Sequence, residues 1–444
     1  MPPNITDIPS SSLGITTPKR RSKGQSVDMW LEDKVQIDNA EGLWRIHDGI
    51  YDLTEFIDKH PGGSEWIELS KGLDVTEAFE VHHLSSRPAE MLKKYFIRSA
   101  KHKRNAPFTF KENGFYKTLK REVLKVLPTL PSKQSSFRSN LLIDSFLVTL
   151  FILATLAAKY WNFFLALLAG HVLAFLSIAA HNYFHRRDNF RMYYFNFSLQ
   201  TVREWRISHV LSHHMHTNTI DDYEISSWEP YLQYLPIKKS PLQRYGQWLW
   251  APLLWISGFH RAFIGRLEEY IKGRRNHIKK TDFIAFLLPL FMYIVSGQTF
   301  LGTLLMWNVI IMVGSTHLFF VGLHAAHHHP EIFHDGDKPR SENDYDWGLS
   351  QLDAVMERKE ITGSLFLVLT NFGDHCLHHM FPTLDHGTLE YIYPTFKKVM
   401  DEFDINLRMV SQLDTIAGGF QQLIKVEPNQ TPPDLKKYDI KKYK

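Results

Sequence analysis

The pattern of apolar and polar positions divides the chain at about residue 140. Beyond that point, Leu141–Ala158 is apolar apart from Asp144 and a few serines and threonines. Trp161–Ala180 follows almost at once, broken only by Asn162 and His171. Both stretches approach the roughly 20 residues that an α-helix needs to cross a bilayer, and Lys159-Tyr160-Trp161-Asn162 is too short to be more than a turn. A helical hairpin is therefore predicted. Phe283–Ser296 and Thr299–Leu323 form a second one, turned at Ser296-Gly297-Gln298. Between the hairpins, Trp248–Phe259 carries three tryptophans and no charge, as expected of a helix lying at a membrane surface. Arg186 and Arg187 follow the first hairpin, and Arg261, Arg266, Lys272, Arg274, Arg275, Lys279 and Lys280 precede the second. Positive charge at both hairpin bases predicts four spans with both termini on the cytosolic side.

The front of the chain follows another rhythm. Trp44–His47 alternates as a strand does, Asp48-Gly49 is a turn, and Ile50–Leu53 resumes the strand. Short amphipathic helices are expected at Thr54–Lys59, Ser64–Ser70 and Thr76–Phe79, the last opened by a capping box at Asp74-Val75-Thr76-Glu77. The predicted order is a disordered basic tail (1–28), a small α+β domain (29–104), a linker (105–140), an all-α membrane domain (141–425) and a polar tail (426–444). Residues 1–28 hold no apolar run, so no secretory leader is expected.

Composition narrows the chemistry. Over 444 residues the net charge is +4, which gives no reason to expect nucleic acid. The mean hydropathy of −0.24 averages a polar front with apolar spans. Cys376 is the single cysteine, so no internal disulfide forms and a reducing compartment suits the chain. Thiolate-held zinc and iron–sulfur clusters are excluded with it, leaving histidine and oxygen as metal ligands.

Histidine is concentrated where those ligands would be needed. His181-x-x-x-His185, His209-x-x-x-His213-His214 and His375-x-x-His378-His379 lie near the ends of apolar stretches. On a helix, residues four apart share a face, so His181 with His185, and His209 with His213, should each address one metal region. Adjacent histidines diverge by about 100°, which suits two ions. Imidazoles alone do not select iron over zinc, copper or nickel. The Glu-x-x-His spacing of carboxylate-bridged diiron bundles occurs only at Glu80/His83 and Glu331/His334, which cannot face each other. A fourth cluster runs from His317 through His324 to His327-His328-His329. Far upstream, His60-Pro61-Gly62-Gly63 ends a short helix in a turn that glycine tolerates, which lets a flat ligand approach. A b-type haem there would need a second imidazole, and His82 and His83 are placed to provide it. With two imidazoles on its iron such a haem carries electrons and has no position for oxygen. A haem donor is also the reason to choose iron for the boxes.

Tyr51-Asp52-Leu53-Thr54, Phe56, His60-Pro61-Gly62-Gly63, Gly72, Asp74, Thr76 and Phe79 resemble the cytochrome b5 family over about 75 residues. The register in desaturase-fused members of that family implies His60 and His83 as axial ligands, with His82 the alternative. From about Leu141 to Pro394 the chain resembles the membrane fatty-acid desaturases. His181–His185, Trp205 with His209–Asn218, and His375–Pro382 look like their three boxes. The combination is similar to the cytochrome b5-fusion desaturases, an arrangement that insect cytochrome b5-related proteins share. Two departures stand out: front-end desaturases usually carry Gln where this chain has His375, and the first box has Asn182 in place of a common aspartate.

The resemblance implies haem b and two nonhaem irons held by His181, His185, His209, His213, His214, His375, His378 and His379. It adds His327 through Ala325-Ala326-His327, with His324, one turn earlier, as a further candidate. No catalytic group beyond the ligands is expected. Of the remaining histidines, His216 and His386 are expected to orient ligands or to lie on the surface. His171 reads as a satisfied buried residue, and His260, His277 and His334 as loop residues. The expected reaction is O2-dependent desaturation of an acyl lipid or acyl-CoA, with electrons from cytochrome b5 reductase or a similar donor. The expected place is the endoplasmic reticulum membrane, with the metal site cytosolic. A lipid hydroxylase with the same cofactors, and a non-catalytic electron-transfer protein with a vestigial oxygenase body, are the alternatives.

Overall fold

The structure is a computed structural model that describes residues 10–16, 25–275, 278–341 and 344–434. The chain enters through helix α1 (Val27–Asp38), capped by Ser26, whose hydroxyl accepts from the Met29 N–H. Strands β1 (Trp44–Ile46) and β2 (Gly49–Tyr51) then pair antiparallel around a turn at His47-Asp48. Trp44 and Ile46 point inward from this short sheet and are buried. A 3₁₀ turn (Thr54–Lys59) leads to helices α2 (Ser64–Leu69), α3 (Thr76–His82) and α4 (Arg87–Leu92). Strand β3 (Phe96–Ser99) returns to pair with β2, so the sheet order is β1-β2-β3. The expected capping box before α3 is not made. Asp74 alone accepts from the Thr76 N–H and hydroxyl, while Glu77 turns away to Arg104.

The expected linker is folded. Phe108–Thr109 (β4) pairs in parallel with a strand formed by Tyr345–Asp346. Helix α5 (Phe115–Val126) buries Phe115, Tyr116, Leu119 and Val123 completely. Those positions lie on one stripe of a 3.6-residue period, which the many lysines and arginines of the segment obscure in the sequence. Tyr116 packs edge-on to Trp347, and Phe115 to Phe403. Two lysines of α5, Lys117 and Lys120, reach back to Glu80 of α3.

Helices α6 (Ser132–Lys159) and α7 (Phe163–Ala180) form the first hairpin, with the Asn162 side chain capping the second by accepting from Leu165 N–H. After a long α8 (Pro241–Ile271) come α9 (Leu287–Ser296) and α10 (Phe300–Leu323). Among the described residues, three helices are long and apolar enough to cross a membrane: Ser132–Lys159, Phe163–Tyr183 and Phe300–Leu323. The stretch expected as a third span is a 3₁₀ turn (Lys280–Phe286) followed by the ten-residue α9. At about 2.0 and 1.5 Å per residue the two cover about 29 Å, near the thickness of a hydrocarbon core. The tryptophan-rich stretch expected at the surface is the middle of the 31-residue α8. Helices α7 and α10 cross closely, because a Cβ on Gly170 would stand 2.5 Å from Cβ of Val313.

Of the expected tails, 1–9, 17–24 and 435–444 lie outside the described residues. The described part of 1–28 is not loose. Ile15 is buried, and Ser11 and Ser12 donate to the carboxylate of Asp335. At the other end, Asn429 N–H donates to Asp337.

Candidate metal and haem sites

The three boxes are held by three kinds of backbone. Helix α7 ends at Ala180, so His181 opens a 3₁₀ turn and His185 lies just past it. The first pair is therefore not on an α-helix, although both rings still meet. Arg206–His213 is a π-helix. His375–Met380 forms a short α-helix (α11). A π turn closes on residue i+5 instead of i+4, and this changes the partners. His209 faces His214, with their Nε2 atoms 3.0 Å apart. His209 and His213 also meet, their rings stacked at 5.3 Å with Glu224 beside both, while His213 in addition faces His327 and His379.

Nine histidines gather into two groups. His181, His185, His209, His214 and His378 form one, and His213, His327, His375 and His379 the other. In the first, His181 Nε2 lies 2.7 Å from His209 Nε2 and 3.0 Å from His378 Nε2. In the second, His375 Nε2 lies 2.6 Å from His327 Nε2 and 3.1 Å from His379 Nε2. Two imidazole nitrogens, each about 2.1 Å from one ion and at right angles, stand about 3.0 Å apart. Both groups have that spacing, and so many lone pairs converging without donors between them fit two cations. The adjacent pairs His213-His214 and His378-His379 each divide between the groups, as their angular divergence implies.

Behind the rings stand acceptors that fix tautomer and orientation. His209 Nδ1 meets Glu224 Oε1 at 2.8 Å, and His213 Nδ1 meets Asp222 Oδ2 at 2.9 Å. His379 Nδ1 meets Gln351 Oε1 at 2.9 Å, and His327 Nδ1 meets the Ala354 carbonyl at 2.9 Å. His378 Nδ1 meets His386 Nε2, also at 2.9 Å. The Thr217-Asn218 tail of the second box has a structural task. Asn218, at a φ of 58°, donates to the carbonyls of His327 and Phe333 and so ties the second box to the His327 segment. Burial, reinforced by neighbouring histidines, holds His185, His214, His375, His378 and His379 well below the usual imidazole range. They are thus neutral, the form that binds metal. Burial acts on His213 in the same direction, but the Asp222 and Glu224 carboxylates outweigh it and lift the ring to about 9.

His324 joins neither group: its Nδ1 bonds the Phe320 carbonyl and its ring packs against Trp255 and Phe420. His386 is buried and contacts His378, whereas His216 is buried against Phe108, with no contact to the cluster. His171 pairs Nδ1 to Nδ1 with His317 across α7 and α10 at 2.7 Å. His328 stacks on Tyr234, and His329 Nδ1 accepts from the Glu331 N–H. His260 is helical, in α8, and contacts Asn308, so it is not a loop residue; His334 lies in an irregular segment, and is buried there. His277 lies outside the described residues. Asn182 donates to Asp385 and accepts from the His386 N–H. An aspartate there would set one carboxylate against another, a physical reason for the departure in the first box.

On the other side of the first group lies the His-Pro-Gly-Gly turn. The His60 and His83 rings face each other with centroids 6.2 Å apart. Two imidazoles on opposite faces of one iron, each about 2.0 Å from it, place their centroids about 6 Å apart. His60 Nδ1 bonds the Gly63 carbonyl and His83 Nδ1 the Phe79 carbonyl, so each Nε2 is left for a metal. The cavity around them measures about 800 Å³ and is walled by Leu53, Phe56, Ile67 and Phe79. Pair spacing, backing bonds and apolar walls fit a haem. His82 and His185 line the same cavity.

A second cavity, of about 390 Å³, is lined by His209, His213, His327 and His375, by Trp228, Leu318 and Phe319, and by charged groups of both signs, among them Arg261, Lys272, Glu268 and Glu269. The two cavities share no lining residue. Asp222, Glu224, Gln351 and Arg206 were not singled out from the sequence. Acidic residues soon after the second box were a usable signal for the first two. Gln351 and Arg206 act across distances that no local motif reports.

A family model described as fatty acid desaturase matches residues 158–411, and one described as cytochrome b5-like haem/steroid binding domain matches residues 31–101. The chain is 42% identical to a Drosophila melanogaster protein named cytochrome b5-related protein, over 91% of this chain and 93% of that one. It is 24% identical to a probable Delta(5) fatty acid desaturase C of Dictyostelium discoideum, over 85% of this chain and 90% of the other. A mouse cytochrome b5 type B is 36% identical over 19% of this chain and 63% of its own length. No solved structure matches significantly.

Proposed function

The chain belongs to the fatty acid desaturase family, with a cytochrome b5-like domain ahead of the family's body, and on that footing we propose that it desaturates a lipid acyl chain with O2, using electrons that enter through its own haem domain. One observation carries the reading. The nine histidines stand between two separate cavities, one suited to haem and one suited to an acyl chain.

His60 and His83 hold the haem, which with both axial positions filled serves as an electron carrier. His181, His185, His209, His214 and His378 hold one nonhaem iron, and His213, His327, His375 and His379 the other. Iron bound there supplies the oxidising power that an unactivated C–H bond requires. Two hydrogens from adjacent carbons, two protons and two electrons reduce O2 to two waters and leave a double bond. The protein's own part is orientation and exclusion of water. Asp222, Glu224, Gln351 and His386 hold the ligand rings in place, and Trp228, Leu318 and Phe319 guide the chain to the second group.

The acyl group arrives on a lipid or on coenzyme A, with Arg261 and Lys272 among the charged residues that line its cavity. Cytochrome b5 reductase or a similar donor supplies the haem domain. The proposed location is the endoplasmic reticulum membrane, with both termini and the metal site cytosolic; basic hairpin bases and a fourth span made by α9 with its preceding turn support that reading. Expression in a yeast host, followed by mass spectrometry of its fatty acids, tests the reading. A new unsaturated acyl product that His378→Ala abolishes is expected. A hydroxylated product would move the chain to the hydroxylases, and an unchanged profile with iron and haem bound would support a vestigial oxygenase body.

A further inference from the structure

His82 is not accounted for by either site. It is the last residue of α3, beside His83, and its Nδ1 bonds the Ala78 carbonyl at 2.9 Å. Its Nε2 is buried without a partner. The ring lies nearly parallel to His185, at 18° and 5.8 Å between centroids. Trp66 covers it from the haem domain, with ring centroids 5.9 Å apart. Among the described residues, this is the ring contact that joins the haem domain to the histidine cluster.

The contact is held by a built interface. Arg206, on the π-helix three residues before His209, is fully buried and donates to Glu65 at 2.8 Å and to Asp188 at 2.6 Å. Its guanidinium lies 4.4 Å from the Trp66 ring centroid, so it clamps the residue that covers His82. Gly63 of the haem-binding turn approaches the same Asp188, where a Cβ would stand 2.8 Å from the carboxylate. Glycine here allows the haem domain to sit flush, at a φ of +116° that other residues avoid.

We propose that His82 is the bridge for electrons between the haem and the five-histidine ion, through its ring contact with His185. This rests on the function proposed above. The route runs from the axial His83 through one peptide bond to His82 and across the stacked rings to a metal ligand. One electron leaves a ferrous haem and reduces one ferric ion of the pair, and His82 ends unchanged. Electrons therefore enter the pair at the five-histidine ion, whose His185 lines the haem cavity, whereas the acyl cavity is lined by His213, His327 and His375 of the four-histidine group together with His209. Residue 82 thus has a use for a side chain that is neither axial ligand nor nonhaem ligand.

The test uses the full chain loaded with haem and iron, as wild type, His82→Ala and His82→Phe. All three should show the same Soret band and the same haem and nonhaem iron content. The haem is then reduced by a light flash without oxygen or lipid, and its reoxidation by the ferric ions is timed. His82→Ala should slow it by an order of magnitude or more, and His82→Phe, which restores a ring, should recover most of the rate. Cleavage by protease between the domains should be equally slow in all three. A wild-type rate in His82→Ala sinks the inference, as does a changed Soret band, which would make His82 an axial ligand. Slowing that Phe does not rescue, with faster cleavage, assigns His82 to docking alone and also overturns it. Wild-type protein without nonhaem iron would instead sink the desaturase reading.

Discussion

Asp222→Asn separates the two ion sites. The carboxylate is completely buried, and its Oδ2 accepts from His213 Nδ1 at 2.9 Å and from Asn218 N–H at 3.0 Å. Oδ1 accepts from Glu224 N–H at 2.9 Å. Asparagine has one acceptor oxygen, so its NH2 must confront a donor at one of these positions. A hydrogen bond to a charged group contributes about 1.5–3 kcal/mol. Loss of a group that orients a ligand typically weakens metal binding about 10- to 100-fold, or about 1.4–2.7 kcal/mol, so the two scales agree. The cost falls on one ion, because His213 belongs to the four-histidine group. His386→Ala is the mirror case, since His386 contacts His378 of the five-histidine group. Competition with a chelator on the full chain reads both, with the Soret band as a control for folding. Each variant should loosen one of two nonhaem ions, and the double variant should loosen both. Loosening of both ions by either single substitution, or of neither, would refute the division.

His327→Ala should lose nonhaem metal and turnover, whereas His324→Ala should keep both, because only His327 converges with the box histidines; equal losses would contradict this. Burial pushes the Glu80 carboxyl up, but hydrogen bonds to His47 and Lys117 and the charges of Lys117 and Lys120 outweigh it and hold Glu80 down to about 2. A carboxylate lowered on folding adds stability that is present above about pH 4.5 and lost as pH falls towards about 2. Glu80→Gln should therefore lower the melting temperature in detergent at pH 7, and by roughly half as much or less at pH 3; an equal drop at both would show the attribution to be wrong. Gly170→Leu should destabilise the membrane domain by about 1–3 kcal/mol or more, since α7 and α10 leave no room for a side chain there; an unchanged melting temperature counts against the close crossing.

Much of the site was readable because metal ligation dictates side-chain identity and leaves little to context. The eight box histidines and His327 are brought together, and the divergence of His213 from His214, and of His378 from His379, follows from helix geometry alone. What stayed hidden depended on backbone or on distance. Nothing in Arg206–His213 announces a π-helix, so the approach of His209 to its i+5 neighbour His214, beside its contact with His213, was not legible. Helix α5 was lost in a basic stretch because its lysines serve contacts with Glu80 as well as solvent. Ten residues at Leu287–Ser296 are too few to identify as a span without the 3₁₀ turn before them. Arg206 matters through Glu65, 141 residues away, and Gln351 joins His379 to Thr217, the latter 134 residues away.

The central claim is that one haem and two nonhaem irons share this chain, the latter on histidine alone. Iron and haem quantified on the purified full chain test it most directly. Three irons per chain, one removed with the haem and two lost together in His378→Ala/His379→Ala, are expected. Haem iron alone, with no nonhaem metal retained, would contradict the account.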